Sequence, residues 1–246
     1  MEPRPRAPRR LAGEPGEWVI HDQPTPCVYL TGQTARLPLR LPLRRLGRAE
    51  LGTRLEQGDR RQGVLLYRPS CPSCNACEPI RLDAETFRPT RTQKRIFRRG
   101  EEQIRTTVRT PRVTEEKVAL YNRHKLERDL AIGDDLLDAE SYREFLVDSC
   151  TETLEMEYRV GDELIAVALV DRAANGLSAV YCYFDPGFGH LSPGTYSILK
   201  QLELCRAARL QHLYLGLYVR GCATMEYKSR YLPHERLIDG RWQTFR

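Results

Sequence analysis

The alternation of short apolar runs with turn residues in the C-terminal half limits the fold more than any other feature of this sequence. Residues 155–160 alternate as a strand, and residues 164–170 and 177–184 form two further apolar strands, with turn-forming residues between them. A long amphipathic helix over 193–210 follows, and residues 212–217 have the composition of a buried strand. This order predicts an α+β domain built on a mixed sheet.

The residues before this meander predict helices and a small first domain. Residues 88–102, 114–130 and 138–149 have helical patterns, and Thr114 is a suitable N-cap. Meander, helix and strand follow the core order of the acyltransferase fold of the N-acetyltransferase type, an analogy of fold that assigns no function. We therefore expect an N-acetyltransferase-like mixed sheet with flanking helices, preceded by a small cysteine-containing domain. The expected parts are a disordered tail, a basic cysteine-rich N-terminal domain and a C-terminal N-acetyltransferase-like domain, at residues 1–14, 15–100 and 101–246.

Four cysteines form a candidate metal site. Cys71, Cys74 and Cys77 are each separated by two residues, and Cys27 lies upstream of them. Thiolates at such a spacing can close around one zinc ion or an iron–sulphur cluster, because short loops allow successive sulphur atoms to point inward. The alternative is a set of buried reduced thiols, and two consecutive Cys-x2-Cys units are crowded for one tetrahedral zinc ion. Both interpretations stay open at this stage.

Positive charge is concentrated in the first half of the chain. Residues 1–112 hold 23 Lys and Arg against 12 Asp and Glu, whereas the remaining residues hold 16 against 21. This asymmetry favours a polyanionic partner over a basic surface that is merely solvated. Four cations of the predicted helix at 88–102 share one face and are the candidate phosphate contacts: Arg91, Lys94, Arg95 and Arg98.

The same sequence argues against a membrane or secreted protein. No run approaches the roughly 18 apolar residues of a membrane span. The N-terminus lacks the apolar core of a secretory signal. The eight cysteines are therefore expected to be reduced thiols of a cytoplasmic protein rather than disulfides.

Two blocks of motifs resemble one enzyme family. The first block contains, in chain order, Cys27-Val28-Tyr29-Leu30, Arg60-Arg61-Gln62-Gly63, Tyr67-Arg68-Pro69, the three spaced cysteines and Pro79-Ile80-Arg81. The second contains Tyr183-Phe184-Asp185-Pro186, Pro193-Gly194-Thr195-Tyr196-Ser197, Leu213-Tyr214-Leu215-Gly216-Leu217 and Tyr227-Lys228-Ser229-Arg230. Together, over roughly residues 15–241, they resemble the aminoacyl-tRNA–protein transferases that extend protein N-termini, and most closely the bacterial branch of that family.

The resemblance implies an enzyme that transfers leucine from leucyl-tRNA to proteins beginning with Asp or Glu, which marks them for degradation in the N-degron (N-end rule) pathway. Its partners would be aminoacyl-tRNA and the acceptor protein, and the activated ester would need no cofactor. A cysteine-bound iron–sulphur cluster is allowed by the resemblance without being required. The alternatives are transfer of arginine, a coenzyme A-dependent acetyltransferase, and a non-catalytic metal ribbon that binds RNA. Residues 188–194 lack the pyrophosphate loop that the acetyltransferase would need.

The resemblance also directs attention to a set of catalytic candidates. Asp185, at a predicted strand end beside Tyr183, is the candidate for orienting and deprotonating the acceptor amine, whose pKa is ordinarily about 7.7–8.0. The structural alternative is an Asx turn that ends the strand at Pro186. Tyr227 and Lys228 are candidates to supply a hydroxyl donor and a cation to the oxyanion or to the terminal adenosine phosphate. The alternative for this pair is an ordinary helix surface.

An acceptor that begins with Asp or Glu requires a cation in the binding site. Arg60, Arg61 and Arg81 flank the cysteine segment, and a bidentate arginine matches a carboxylate better than a lysine does. Tyr67, in the same block, is predicted to line the acceptor site with them. The alternative is a set of solvated arginines.

Overall fold

The computed structural model describes residues 8–130 and 136–246. The strands in these ranges are β1 (Arg9–Leu11), β2 (Glu17–His21), β3 (Pro24–Pro26), β4 (Thr34–Arg36), β5 (Leu39–Pro42), β6 (Arg60–Gln62), β7 (Leu65–Tyr67), β8 (Cys77–Asp83), β9 (Arg105–Arg109), β10 (Thr153–Val160), β11 (Glu163–Arg172), β12 (Gly176–Phe184), β13 (His212–Val219), β14 (His234–Ile238) and β15 (Arg241–Phe245). The α-helices are α1 (Arg48–Glu56), α2 (Arg91–Gln103), α3 (Glu115–Glu127), α4 (Ala139–Tyr142), α5 (Pro193–Ala207) and α6 (Ala223–Glu226). Among these, no helix is both long enough and apolar enough to span a bilayer.

A mixed sheet of eight strands organises the fold. Its order is β15–β14–β8–β13–β12–β11–β10–β9, and only the β12–β13 pair is parallel. β10, β11 and β12 form the predicted meander, and α5 carries the chain back so that β13 can run parallel to β12. A five-stranded sheet in the order β1–β2–β5–β7–β6 and the β3–β4 hairpin are built by the N-terminal residues.

Helices cover both faces of the large sheet, because successive side chains of a strand point to opposite faces. One face packs against α2 and α5, and its strand residues include Met156, Tyr158, Ala166 and Ala168. The other face packs against α3 and α4, and its strand residues include Val167, Leu169 and Tyr183. The predicted α+β class, with a mixed sheet between flanking helices, is confirmed.

The predicted meander agrees with the structure, whereas one predicted helix differs in its second half. Thr114 caps α3 as expected, since its hydroxyl accepts a hydrogen bond from the Lys117 amide at 3.3 Å. The helix expected over 138–149 is present over residues 139–147, but it is not α-helical throughout. Helix α4 ends at Tyr142, and the chain continues as a π-helical turn over Arg143–Val147. The Asp148 amide closes this turn on the Arg143 carbonyl at 2.7 Å, five residues back.

The N-terminal residues also contribute a strand to the interior of the large sheet. β8 pairs with β13 on one side and with β14 on the other. Its Ile80 and Leu82 are fully buried in the main core. The predicted boundary near residue 100 therefore does not separate two independent cores.

The predicted disordered tail is wrong in its described part. Residues 1–7 of that tail lie outside the described residues. Arg9–Leu11 form β1, which pairs antiparallel with Glu17–His21. The turn between them brings the two segments together, so the start of the described chain is the edge of the five-stranded sheet.

Candidate functional site

The parallel pair of the large sheet is hydrogen-bonded over a short length only. Gly176–Ser178 of β12 are in register with His212–Tyr214 of β13, and beyond them the two strands are not paired with each other. On its other side β13 also loses register with β8, between Tyr214 and Leu217. Gly216 causes this irregularity, because its φ of +81° lies in the left-handed region that disfavours side chains. We call Gly216 and Leu217 the β13 bulge.

Arg60 of β6 reaches the β13 bulge. Its Nη2 donates to the Gly216 carbonyl at 2.8 Å, and its Nη1 donates to the Asp59 carbonyl at 2.7 Å. The side chain is buried, with 5% of the residue exposed, and its Nε has no hydrogen-bond partner within residues 8–130 and 136–246. Burial lowers the pKa of Arg60 to about 10. Among the described residues no carboxylate lies within 4.0 Å of this guanidinium, which is unusual for a buried charge.

Lys228 approaches the same bulge from the turn that follows α6. Its Nζ donates to the Leu217 carbonyl at 2.7 Å and lies 3.8 Å from the Met225 sulphur. Burial is the main cause that lowers the pKa of Lys228 to about 7, and the nearby Arg60 charge lowers it further. The structure thus brings two predicted site residues together at consecutive carbonyls of one strand.

Tyr67 and Tyr227 lie beside these two cations. Tyr67 stands opposite Arg60 in the β6–β7 pair, and burial raises its pKa. Tyr227 exposes 40% of its surface, although burial around its hydroxyl raises its pKa. Both phenols therefore remain protonated at neutral pH and can donate hydrogen bonds.

The other two arginines predicted to bind the acceptor are occupied by carboxylates of the protein itself. Arg61 forms a buried bidentate pair with Asp171 at 2.7 and 3.0 Å. Arg81 contacts Glu56 at 2.5 Å and Glu235 at 2.7 Å. The structure therefore corrects the predicted set, and Arg60 alone among the three keeps a guanidinium without a carboxylate partner in the described residues.

Asp185 lies where β12 ends, and both of its carboxylate oxygens have partners. Oδ1 accepts from the Gly187 amide at 2.8 Å, which caps the 3₁₀ turn Pro186–Leu191. Oδ2 forms an ion pair with Arg123 of α3. The first contact is the one expected of an Asx turn, while a role as the base stays a prediction.

Tyr183 occupies a different environment from the one predicted. It has no exposed surface, its hydroxyl is 2.5 Å from that of Tyr142, and its ring packs edge-on against Tyr121. Burial raises its pKa well above the ordinary value. Because the side chain points to the core on the α3 face, the predicted catalytic contact with substrate is corrected to a packing role.

The predicted basic face lies on α2 and is exposed. Thr90 caps this helix, since its hydroxyl accepts from the Gln93 amide at 3.2 Å and the Gln93 side chain accepts from the Thr90 amide at 2.8 Å. Among the residues that the structure describes, a weak exposed pair, Arg98 with Glu102 at 3.9 Å, is the only ion pair of this face. The exposed members are Arg91, Lys94, Arg95 and Arg98.

The four cysteines of the candidate metal site are free thiols. The Leu30 amide donates to Cys27 at 3.4 Å, and burial raises the pKa of Cys77 to about 12, with smaller contributions from the neighbouring thiols. Within residues 8–130 and 136–246, no group of three or more His, Cys, Asp or Glu side chains is arranged to hold a metal ion. A zinc ion or iron–sulphur cluster at Cys27, Cys71, Cys74 and Cys77 stays a prediction.

Comparison with known proteins identifies the family. The profile for the N terminus of arginine-tRNA-protein transferases matches residues 25–95, and the profile for their C terminus matches residues 116–238. The chain belongs to this transferase family. The family resemblance predicted from the motifs is confirmed, and the two matched segments include Arg60 and Lys228 respectively.

This chain is similar to two bacterial leucyltransferases and, more distantly, to a protein of known structure. An aspartate/glutamate leucyltransferase of Chromobacterium violaceum is 39% identical over 90% of this chain and 91% of its own length. One of Hahella chejuensis is 38% identical over 89% of this chain and 93% of its own length. Among solved structures, L-PGS from Bacillus licheniformis has a TM-score of 0.48 and 13% identity, covering 69% of this chain and 58% of its own.

Sequence reasoning missed two residues of this region. Gly216 lies inside an apolar strand pattern, and an isolated glycine there is a known signal of a bulge. Arg123, which pairs with Asp185, gives no such signal, because an arginine on a helix is ordinarily solvated.

Proposed function

We propose that this transferase moves leucine from leucyl-tRNA to the α-amine of proteins that begin with Asp or Glu, and so marks them for degradation. The match to the leucyltransferase of Chromobacterium violaceum, over nine-tenths of both chains, carries this proposal. Family membership favours it over a coenzyme A-dependent acetyltransferase or a non-catalytic RNA-binding module. Charged tRNA is used in the cytoplasm, which supports a cytoplasmic location for the reaction.

The reaction needs alignment more than activation. The acceptor nitrogen attacks the ester carbonyl, a C–N bond forms, the C–O bond to the ribose breaks, and the amine's proton finally reaches the ribose oxygen. A base would take that proton, and an oxyanion donor would stabilise the tetrahedral intermediate. Asp185 is proposed as the base, and the protonated hydroxyl of Tyr227 as a donor to the oxyanion.

The β12–β13 region is the proposed place for this chemistry. An N-acetyltransferase-like arrangement, in which two parallel strands separate, leaves backbone groups and side chains available between them. Here the parallel pairing stops after Ser178 and Tyr214. Just beyond that point, Arg60 from the N-terminal residues and Lys228 from the C-terminal residues donate to the Gly216 and Leu217 carbonyls, and Tyr67 lies opposite Arg60.

Arg60 is the proposed reader of the acidic acceptor. A planar guanidinium binds a carboxylate with good geometry. Of the three predicted arginines, Arg60 is the one without a carboxylate partner in the described part of the chain. The exposed face of α2 is proposed to hold tRNA phosphates, which adds affinity without reading the base sequence.

The direct test is a transfer assay with defined substrates. Purified protein is incubated with leucyl-tRNA or arginyl-tRNA and with peptides that differ only in their first residue, Asp, Glu, Lys or Ala. Mass spectrometry should show leucine on the Asp and Glu peptides only. Arginine on the Asp and Glu peptides would support the proposed acceptors but show that the donor is arginyl-tRNA. Transfer to the Lys peptide would contradict the proposal.

A further inference from the structure

Two buried cations share one short piece of backbone. The Gly216 carbonyl accepts from Arg60 and the Leu217 carbonyl accepts from Lys228, at 2.8 and 2.7 Å. Consecutive carbonyls of a regular strand point in opposite directions, so a strand would not normally hold two cations in this way. The left-handed conformation of Gly216 makes the arrangement possible, and a Cβ built there would lie 3.7 Å from the Lys228 Nζ.

Neither cation is neutralised by a carboxylate within 4.0 Å in the part of the chain that the structure describes. Elsewhere in these residues buried cations do have such partners: Arg61 has Asp171, and Lys117 has Glu155 and Glu157. The carboxylate nearest in sequence, Asp59, is engaged by Arg40 at 2.6 Å and by Arg68 at 2.8 Å. Two like charges kept together away from water are costly unless an anion joins them.

The shape of the site limits which anion can enter. Arg60 and Lys228 are 5% and 7% exposed, so an approaching group must be narrow. A phosphodiester carries a sugar on each side and suits an open surface such as that of α2. A side-chain carboxylate at the end of a polypeptide can enter end-on, and its two oxygens can accept from both cations.

We propose that Lys228 joins Arg60 in binding the side-chain carboxylate of the acceptor's first residue, which makes Lys228 a second residue that determines specificity. This inference rests on the proposed function. It assigns Lys228 to substrate recognition rather than to the oxyanion, and Tyr227 remains the oxyanion donor.

The charges around the pair allow this role to depend on pH. Arg60 and the Cys222 thiol face Lys228, and the groups around Arg60 are Tyr67, Tyr214, Asp59 and Arg68. With its pKa lowered to about 7, Lys228 is charged below neutral pH and loses its proton above it. The charged form binds a carboxylate, so discrimination in favour of an acidic acceptor should decline as pH rises past 7.

The test compares two peptides that differ only in charge at the first side chain, Asp and Asn. The measured quantity is the ratio of the kcat/KM value for the Asp peptide to that for the Asn peptide. It is measured at about pH 6.5, below the pKa of Lys228, so that this side chain is mostly charged. Lys228→Gln, which keeps a donor for the Leu217 carbonyl, should lower this ratio about 10-fold or more, the usual worth of a hydrogen bond to a charged group. Lys228→Met, which also removes the donor to the Leu217 carbonyl, should lower the ratio to a similar extent.

A double-mutant cycle with Arg60→Gln shows whether one carboxylate contacts both cations. If it does, the effects of the two substitutions on the ratio are not additive. Once one cation is replaced, the carboxylate is bound weakly, so replacing the other cation has a smaller effect. The matched control is Lys200→Met, since Lys200 of α5 is paired with Glu101 of α2 and with Glu203 of α5. The control should keep the wild-type ratio, and melting curves of all variants report on folding.

The alternatives give different results. An increase in KM for leucyl-tRNA with the Asp/Asn ratio unchanged would assign Lys228 to the nucleic acid and overturn the inference. A fall in kcat that is equal for both peptides would indicate that Lys228 stabilises the oxyanion, and this result would also overturn the inference. Wild-type protein that transfers nothing to Asp or Glu peptides would instead remove the proposed function itself.

The ratio also provides a readout that a structural role would not move. Both peptides have nearly the same α-amine, so its titration cancels in the ratio. The wild-type ratio should decrease between pH 6 and 8, a window of about one unit on either side of neutrality, and the Lys228→Gln ratio should stay flat. A wild-type ratio that is constant with pH and equal to that of Lys228→Gln would refute the inference.

Discussion

At the residue scale, three arginines of the same chemistry have different environments in this protein. Arg61 and Arg81 are neutralised by internal carboxylates, and Arg60 instead donates to backbone carbonyls. A buried ion pair that loses one partner is strongly destabilising, so Arg61 is best understood as part of the fold. Because no carboxylate of the described residues pairs with it, Arg60 is the arginine that we propose binds substrate.

Replacing Asp185 by Asn separates its two roles. The amide keeps the cap on the 3₁₀ turn but cannot accept the amine's proton, so we expect turnover to fall about 10²–10⁴-fold with little change in tRNA affinity or melting temperature. The deficit should shrink as pH rises past the acceptor amine's own pKa. Steady-state kinetics with an Asp peptide measures both effects.

The control for this substitution is Arg123→Gln, which removes the ion pair and leaves the carboxylate in place. If only the ion pair matters, Arg123→Gln and Asp185→Asn will lose similar activity. Near-normal turnover of a well-folded Asp185→Asn protein at neutral pH would leave Asp185 with the turn-capping role alone.

Lys228 should also lower the stability of the fold near neutral pH. Its pKa is about 7 in the folded protein and about 10.4 in an unfolded chain, so between these values the unfolded state binds more protons. Wild-type stability should therefore rise from pH 7 towards pH 10 by a few kcal/mol relative to Lys228→Met, which carries no such proton. Urea unfolding at several pH values measures this difference, and parallel curves would show that burial does not perturb Lys228.

At the scale of elements, α2 combines a capped N-terminus, a buried side and an exposed basic side. Its Ile96 and Phe97 pack against the main core, while the four cations face solvent. Gly100 allows the helix to approach α5 closely, since a Cβ there would overlap the ring of Tyr196. The basic side is therefore presented by a helix whose position is fixed by packing.

Neutralising this basic side should weaken tRNA binding in a salt-dependent way. The variant carries glutamine in place of Arg91, Lys94, Arg95 and Arg98, and so lacks the four proposed phosphate contacts. The slope of the logarithm of the tRNA association constant against the logarithm of salt concentration should become shallower by about 3. Filter binding at several salt concentrations measures the slope. The control variant carries Gln at Arg209 and Arg241, and equal slopes for the two variants would show that α2 is only a solvated surface.

At the scale of the whole molecule, the central sheet is shared between distant parts of the chain. β8 lies between β13 and β14, so a fragment of residues 101–246 lacks an interior strand and the buried side chains of Ile80 and Leu82. We expect that fragment alone to lack a cooperative thermal transition in circular dichroism. A fragment that melts cooperatively at the full-length temperature would show that the C-terminal residues fold on their own.

The sequence determined the features that depend on neighbours along the chain. Period-two alternation predicted β10, apolar runs between turn residues predicted β11 and β12, and the i, i+3, i+4, i+7 spacing predicted the basic side of α2. The ordered motifs identified the family. Only the tertiary structure decided which charges meet. Asp171 lies 110 residues from Arg61, and Glu235 lies 154 residues from Arg81. No local pattern encodes such distances, because an arginine's partner depends on how strands are ordered in the sheet. For the same reason only the fold showed that Tyr183 faces the core, and that Arg60 and Lys228 share the β13 bulge.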